Sequence, residues 1–355
     1  MRYQTIRDAD VKDKVVLVRV DYNVPMEDGE IVDDLRIRAS LPTLEYLRKA
    51  GAKKIILISH MGRPEGRDES LSLKKAAKTL GEMLPNVSFV PEVSGANVKK
   101  IVEEAKPGSI LLLENLRFNQ DEEKNSEDFI KSIIDAVGAE LYVQDGFAVI
   151  HRAHASVAAV AKFLPVYMGL LLEKEVNNLE KVALSPERPM LVIIGGSKVE
   201  DKAPLIEKFV SKADKIVVGG KIAADGYKAE EGAQNIYVAE DFDENANGEK
   251  LDVGPLSTAK IAGYIADAKT IVWNGLLGKA EDPAYATAST IVAEMIGEKE
   301  DAETVICGGD TTGFVESLMK EHPNLKYSLV STGGGAALEF LIGKELPGLE
   351  AIKKN

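Results

Sequence analysis

The octapeptide SHMGRPEG (59–66) places His60 and Arg63 directly behind KKIILI, an aliphatic run built for a core. Three other apolar runs finish in a similar way. KVVLVRV gives way to DYNVP, with Asp21 and Asn23; SILLLE to NLRF, with Arg117; ELYVQD to GFAVIHRAHAS, with Arg152 between His151 and His154. Arg36 and Arg38 follow the first run in DDLRIRAS. Guanidinium forks match the oxygens of carboxylate and phosphate, and charge-assisted hydrogen bonds are roughly twice as strong as neutral ones. One such residue is an ordinary solvated strand end. A set repeated at four outlets is the chemistry of a small, highly charged anion.

The second half of the chain ends its apolar runs on glycine instead: GGSKVEDK (195–202), VGGK (218–221), WNGLLG (273–278), CGGDTT (307–312) and STGGGAALE (331–339). Glycine between strand and helix lets main-chain N–H groups approach phosphate at the positive end of the helix. Every tight turn favours glycine, but five such turns in one domain suit a polyphosphate of nucleotide size. Lys198 and Lys202, four residues apart behind GGS, put two ammonium groups on one helical face. Asp310, behind two glycines, is either an N-cap or a carboxylate for Mg²⁺ near phosphates. The sequence has no G-x-x-x-x-G-K-[ST], which excludes a P-loop NTPase, and GGGAA lacks the G-x-G-x-x-G spacing of a dinucleotide site. Cys307 reads as a buried, inert thiol and His322 as an exposed loop residue.

Such side chains need strands to carry them. The first half offers KVVLVRV (14–20), KKIILIS (53–59), SILLLE (109–114) and ELYVQD (140–145). The second offers MLVIIG (190–195), KIVVGG (215–220), TIVWNG (270–275), TVICGG (304–309) and YSLVST (327–332). Continuous apolar runs, as opposed to alternating ones, mark parallel strands covered on both faces. Helical stretches intervene; in LPTLEYLRKAG (41–51), Leu41, Leu44 and Leu47 share a face, with Ser40 as N-cap and Gly51 past the end. Repeated β–α units predict α/β architecture with doubly wound parallel sheets. The segment 166–189 predicts one long connecting helix ending at Ser185–Pro186.

At 355 residues the chain exceeds a single core, so two domains are expected. A net charge of -13 argues against nucleic acid as a partner. Ten of the eleven arginines nevertheless fall within the first 152 residues, only Arg188 lying beyond. No run approaches the ~20 apolar residues of a membrane helix, and MRYQTIRDADVKDK lacks the apolar centre of a signal peptide. With Cys307 alone, no internal disulfide can form. A cytoplasmic enzyme, with no membrane and no nucleic acid as partner, is the expectation.

In this order RVDYNVP, DDLRIR, SHMGRP, LLLENLRF, HRAHAS, GGSKVEDK, DVGP, IVWNG, GGDTT and STGGGAALEFL resemble the phosphoglycerate kinase family, nearly from end to end. The resemblance implies reversible phosphoryl transfer between 1,3-bisphosphoglycerate with Mg-ADP and 3-phosphoglycerate with Mg-ATP. It implies two doubly wound parallel-sheet domains facing across a hinged cleft, in a monomer. Residues 1–165 would bind the glycerate, 166–189 connect, 190–335 bind nucleotide, and 336–355 return to the first domain. Matching family positions make Arg36 and Lys198 catalytic, with Gly333 and Gly334 offering amides to the moving phosphoryl group. Asp21, Tyr22, Asn23, Arg36, His60, Met61, Gly62, Arg63, Arg117 and Arg152 fall on the glycerate side. Gly196, Lys198, Lys202, Gly219, Gly220, Asn274, Glu281, Gly308, Gly309, Asp310 and Thr311 fall on the nucleotide side, with Glu281 at the ribose and Asp310 near Mg²⁺. The chain departs from the family pattern at Leu276, where proline is usual, and at Lys279–Ala280, where a hydrophobic pair is usual. It also departs in a shortened stretch from Gly220 to Asp252 and in DGFAVIHRAHAS. Two rival readings are a kinase of another small carboxylate and a silent nucleotide-responsive binding protein.

Overall fold

The computed structural model describes residues 3–229 and 232–353. The chain forms two compact units, Met1–Lys174 with Glu345–Asn355, and Glu175–Lys344. Each carries one six-stranded parallel sheet with helices between its strands.

The first unit contains β1 (Val15–Arg19), a small hairpin of β2 (Met26–Glu27) and β3 (Glu30–Ile31), then β4 (Lys54–Ile58), β5 (Val87–Val90), β6 (Ser109–Leu113), β7 (Leu141–Gln144) and β8 (Val166–Met168). Sheet order is β5-β6-β4-β1-β7-β8. Val16 faces Ile55 on one side and Leu141 on the other. The middle strands are aliphatic because both of their faces are covered; every residue of β4 is buried. The second unit contains β9 (Met190–Ile194), β10 (Lys215–Val218), β11 (Ile236–Val238), a hairpin of β12 (Phe242–Glu244) and β13 (Lys250–Val253), then β14 (Thr270–Asn274), β15 (Glu303–Cys307) and β16 (Leu329–Val330). Its sheet order is β11-β10-β9-β14-β15-β16. In both sheets the chain builds first one side and then the other, in outward order except that β5 takes the edge before β6 fills the place inside it. The reversals fall between β1 and β7 and between β9 and β14. In open α/β sheets, ligands bind outside the carboxyl ends of the strands at such reversals.

Several expectations require correction. Residues 166–168 form an edge strand on β7, and the connecting helix is Leu170–Leu184. The Asp145 carboxylate lies at the start of that helix, its Oδ1 accepting from the Leu171 amide at 3.0 Å. Ser40 is no N-cap: the helix runs Leu35–Lys49, and Ser40 is buried inside it. Of the expected tail, 336–344 stays with the second unit, in and just after the helix Gly334–Leu341, and only Glu345–Asn355 belongs with the first. There the Gly348 amide donates to Ile150 O at 2.9 Å, and Tyr3 bridges Lys353. Among the described residues, no helix is long and apolar enough to cross a membrane.

Candidate active site

In the first unit, the loops leaving β6, β4, β1 and β7 carry Arg117, His60, Asp21 and Arg152, and these four strands are adjacent in the sheet. Asp21 is the hub. Its Oδ2 accepts from Arg36 Nη1 at 2.7 Å, and its Oδ1 accepts from the Asn23 amide at 3.2 Å. Arg36 also donates to Asn23 O at 3.1 Å, while Asn23 Oδ1 accepts from the Gly62 amide at 2.8 Å. Gly62 has φ +62°, a left-handed conformation favouring glycine, and its carbonyl accepts from Arg117 Nη1 at 2.6 Å. The loops therefore lock one another before any ligand arrives.

This unit concentrates buried positive charge. Burial pushes the Arg117 guanidinium down to about 10, although Glu123 lies 3.1 Å from its Nε. His60, 4% exposed, is held well below the usual histidine range, first by burial and then by the guanidiniums of Arg19, Arg117, Arg152 and Arg36. Burial, with Arg117, Arg19 and Arg152 nearby, likewise pushes His154 down to about 4. Both imidazoles are thus neutral near pH 7, and the cationic surface is made of arginine. Asp21 and Glu123 offset only part of this charge, and clustered arginines in excess of their anions are electrostatically costly, which is the signature of a site prepared for one more.

Not every expected residue joins this cluster through its side chain. Tyr22 is fully buried, its hydroxyl 2.9 Å from Ser40 Oγ and its amide donating to Ser59 Oγ. Met61 packs in the hydrophobic core, with its carbonyl accepting from Asn115 Nδ2. The side chains of both are thus spent on packing. Arg63 is exposed and absent from the guanidiniums that act on His60. Arg38 pairs with Asp34 at the surface. Conversely, Arg19 was missed: inside KVVLVRV it reads as one polar residue in a strand.

In the second unit, the carboxyl ends of β9, β10, β14 and β15 surround a cavity of ≈ 330 Å³, lined in part by Gly196, Lys198, Lys202, Gly309, Asp310 and Glu281. Backbones crowd closely here. A Cβ at Gly275, whose φ is +95°, would lie 2.2 Å from Gly195 O; one at Gly334 would lie 2.9 Å from the Gly309 amide. Lys198 is the N-cap of the helix Val199–Val210, and Lys202 follows one turn later. Asp310 sits exposed in the first turn of the helix Gly309–Glu321, whose N-cap is Gly308, so it is not itself the cap. Gly220 and Thr311 also border the cavity. Asn274 does not: its Oδ1 accepts from Lys202 Nζ and its Nδ2 donates to Cys307 O at 2.8 Å, so it orients the lysine. Gly219 is a packing glycine, its amide spent on Ile194 O. The Gly333 amide donates to Ser331 Oγ at 3.2 Å. Burial pushes the Cys307 thiol up to about 11, consistent with an inert group.

Apart from DGFAVIHRAHAS in the first unit, the departures noted in the sequence gather at this cavity. Leu276, Lys279, Phe242, Lys250 and Leu251 line the same cavity. The Lys279 amide donates to Leu251 O at 2.8 Å, which joins the β12–β13 hairpin to the loop behind β14.

A guanidinium cluster on one α/β unit and a lysine- and glycine-lined polyphosphate cavity on the other define the class: a phosphoryl-transfer enzyme. A model of the family "Phosphoglycerate kinase" matches residues 6–241 and 225–344, and the two matches overlap within the shortened stretch. The chain is 40% identical to the phosphoglycerate kinase of Coprothermobacter proteolyticus, over 99% of both chains. It is 41% identical to that of Aquifex aeolicus, over 98% of this chain and 97% of the other. The solved phosphoglycerate kinase structure from Pyrococcus horikoshii superimposes with a TM-score of 0.86 at 29% identity, covering 98% of each chain. That from Coxiella burnetii gives 0.80 at 31% identity, over 99% of this chain and 98% of the other. The chain belongs to the phosphoglycerate kinase family.

Proposed function

We propose that the chain catalyses reversible phosphoryl transfer between the acyl phosphate of 1,3-bisphosphoglycerate and Mg-ADP, yielding 3-phosphoglycerate and Mg-ATP. The observation that carries this reading is that Arg117, His60, Asp21 and Arg152 leave four adjacent strand ends, with Arg36 of the helix Leu35–Lys49 bonded to Asp21. A small ligand with carboxylate and phosphate groups is what such a cluster would hold. The second unit complements it with Lys198, Lys202 and glycine amides around a nucleotide-sized cavity.

In this reading Asp21, Asn23, His60, Arg117 and Arg152 hold the glycerate. Arg63, exposed on the same loop, joins them only when ligand is bound. Arg36 and Lys198 face the transferring group, with Gly333 and Gly334 at the helix start behind it. That group spreads negative charge over its equatorial oxygens, so positioning and electrostatic stabilisation do most of the work. Glu281 would meet the ribose, and Asp310 the metal. Mg²⁺ is ordinarily held by one or two carboxylates together with substrate phosphates, and an exposed aspartate on the cavity wall fits an ion that arrives with the nucleotide. It would neutralise phosphate charge there.

Because the two sets of groups belong to different units, transfer requires the units to close, which also shields the acyl phosphate from water. Scattering profiles of the free enzyme and the ternary complex should differ; superimposable profiles would contradict closure. We place the protein in the cytoplasm as a monomer, which light scattering on the purified protein would check. The activity itself is tested by a coupled assay with Mg-ATP, comparing 3-phosphoglycerate with acetate, aspartate and carbamate. Turnover confined to 3-phosphoglycerate supports the reading; preference for another carboxylate, or binding of both ligands without turnover, would overturn it.

A further inference from the structure

Arg19 closes β1 with its guanidinium only 1% exposed. Its Nη1 donates to Val20 O at 2.6 Å, and its Nε to Ser156 Oγ at 2.9 Å. The Ser156 hydroxyl in turn donates its single proton to Glu122 Oε1 at 2.5 Å, while the Ser156 amide donates to Glu122 Oε2 at 3.0 Å. Glu122 is wholly buried. The chain of bonds has one direction: the carboxylate turns the hydroxyl, and the hydroxyl's lone pair receives the guanidinium. At the far end Arg19 Nη2 lies 3.2 Å from His60 Nδ1.

A guanidinium has only donors, so the nitrogen it meets must be bare, and the neutral ring then carries its proton on Nε2. The competing partner of Nδ1 is Asp21 Oδ1, at 3.8 Å, beyond hydrogen-bond range. Asp21 is already engaged by Arg36 and the Asn23 amide. Among the described residues no protein group accepts from His60 Nε2. The charged groups acting on the ring are Arg19 of β1, Asp21 behind it, Arg36 of the helix Leu35–Lys49, Arg117 behind β6 and Arg152 behind β7. Four cations against one anion disfavour the imidazolium.

We propose that Arg19, aligned by Ser156 and Glu122, is a positioning residue that holds His60 as its neutral Nε2–H tautomer, so that the ring offers the bound glycerate one fixed donor and leaves charge recognition to arginine. The inference rests on the glycerate-side reading of the first unit. An orienting partner on the far nitrogen of a functional histidine is a recurrent way to fix its tautomer.

Nitrogen-15 NMR of the histidine-labelled enzyme tests this without substrate, the His60 signal being assigned by its loss in His60→Gln. The expected result is a bare Nδ1 and a protonated Nε2 from about pH 5.5 to about pH 8. An Nδ1–H tautomer or an imidazolium within it would overturn the proposal. In steady-state kinetics Arg19→Met should raise KM for 3-phosphoglycerate by roughly tenfold and leave KM for ATP within about twofold. Ser156→Ala should do the same more weakly. His60→Gln, whose side-chain amide donates near the Nε2 position, should retain more glycerate affinity than His60→Asn. Unchanged KM for 3-phosphoglycerate in a folded Arg19→Met would also overturn the proposal; should that variant fail to fold, the NMR of the unmodified enzyme decides. Absence of all turnover with 3-phosphoglycerate would instead count against the functional reading, leaving the tautomer measurement intact.

Discussion

The two units are equipped for anions by opposite means. The first uses side chains already bonded to one another in a buried cluster, where Arg36, Asp21, Asn23, Gly62 and Arg117 form a continuous chain of contacts. The second uses the exposed Lys198, the half-buried Lys202 and a main chain kept bare by glycine, with Gly195 and Gly275 in near contact across the reversal in the sheet. Fixed guanidiniums discriminate by geometry, as suits a small ligand with two differently placed charged groups. Amides at helix starts grip phosphate whatever is attached to it. Truncating side chains should therefore harm the first site most, whereas adding a Cβ should harm the second.

The largest expected effect is at Arg36, which is only half-buried yet anchored on Asp21. Arg36→Ala should lower kcat by roughly a thousandfold while ligand dissociation constants change by less than about tenfold, because its main contribution comes in the transition state. Equal losses in turnover and binding would remove it from that role. Next is Gly275→Ala: the backbone has φ +95° and the added Cβ meets Gly195 O, which cannot rotate away. It should cost about 2–4 kcal/mol, read as a lowered unfolding transition with weakened ATP binding. Smaller, and on the first unit, is Asp145→Asn. Burial raises the Asp145 carboxyl to about 7, above its unfolded value near ~4, so its contribution to stability is full below about 4 and is lost as pH rises through about 7. Asn mimics the protonated acid and should flatten that loss, by on the order of 2 kcal/mol between roughly pH 5 and 8. Parallel stability–pH curves for the two proteins would contradict the shift. The smallest effect belongs to Arg38→Ala, on the same helix as Arg36 but paired with Asp34 at the surface. Its kinetics should match those of the unmodified enzyme.

The sequence made the central strands legible because β1, β4, β9 and β14 are covered on both faces and must be continuously apolar. Of the four edge strands, β16 was read from YSLVST, whereas β5, β8 and β11 escaped. In β5 the residues Val87, Ser88 and Phe89 are only partly covered or exposed, and in β8 a single strand turn precedes a helix of similar composition. The helix Leu35–Lys49 begins earlier than Ser40 suggested, and its Pro42 lies in the interior. At the site, residue types at strand ends marked the loops correctly. They could not say which way a side chain turns: Tyr22 faces the core, Asn274 turns to a lysine, and Arg19 lies inside the strand, where pattern alone gives no hint of function.

The central claim, that glycerate is held by the first unit and nucleotide by the second, is tested most directly by amide hydrogen exchange with each ligand alone. With 3-phosphoglycerate, added protection should fall on 21–23, 60–63, 115–118 and 146–156, and with Mg-ADP on 195–202, 274–281 and 308–311. Protection of one and the same unit by both ligands, or of neither set of loops, would contradict the account.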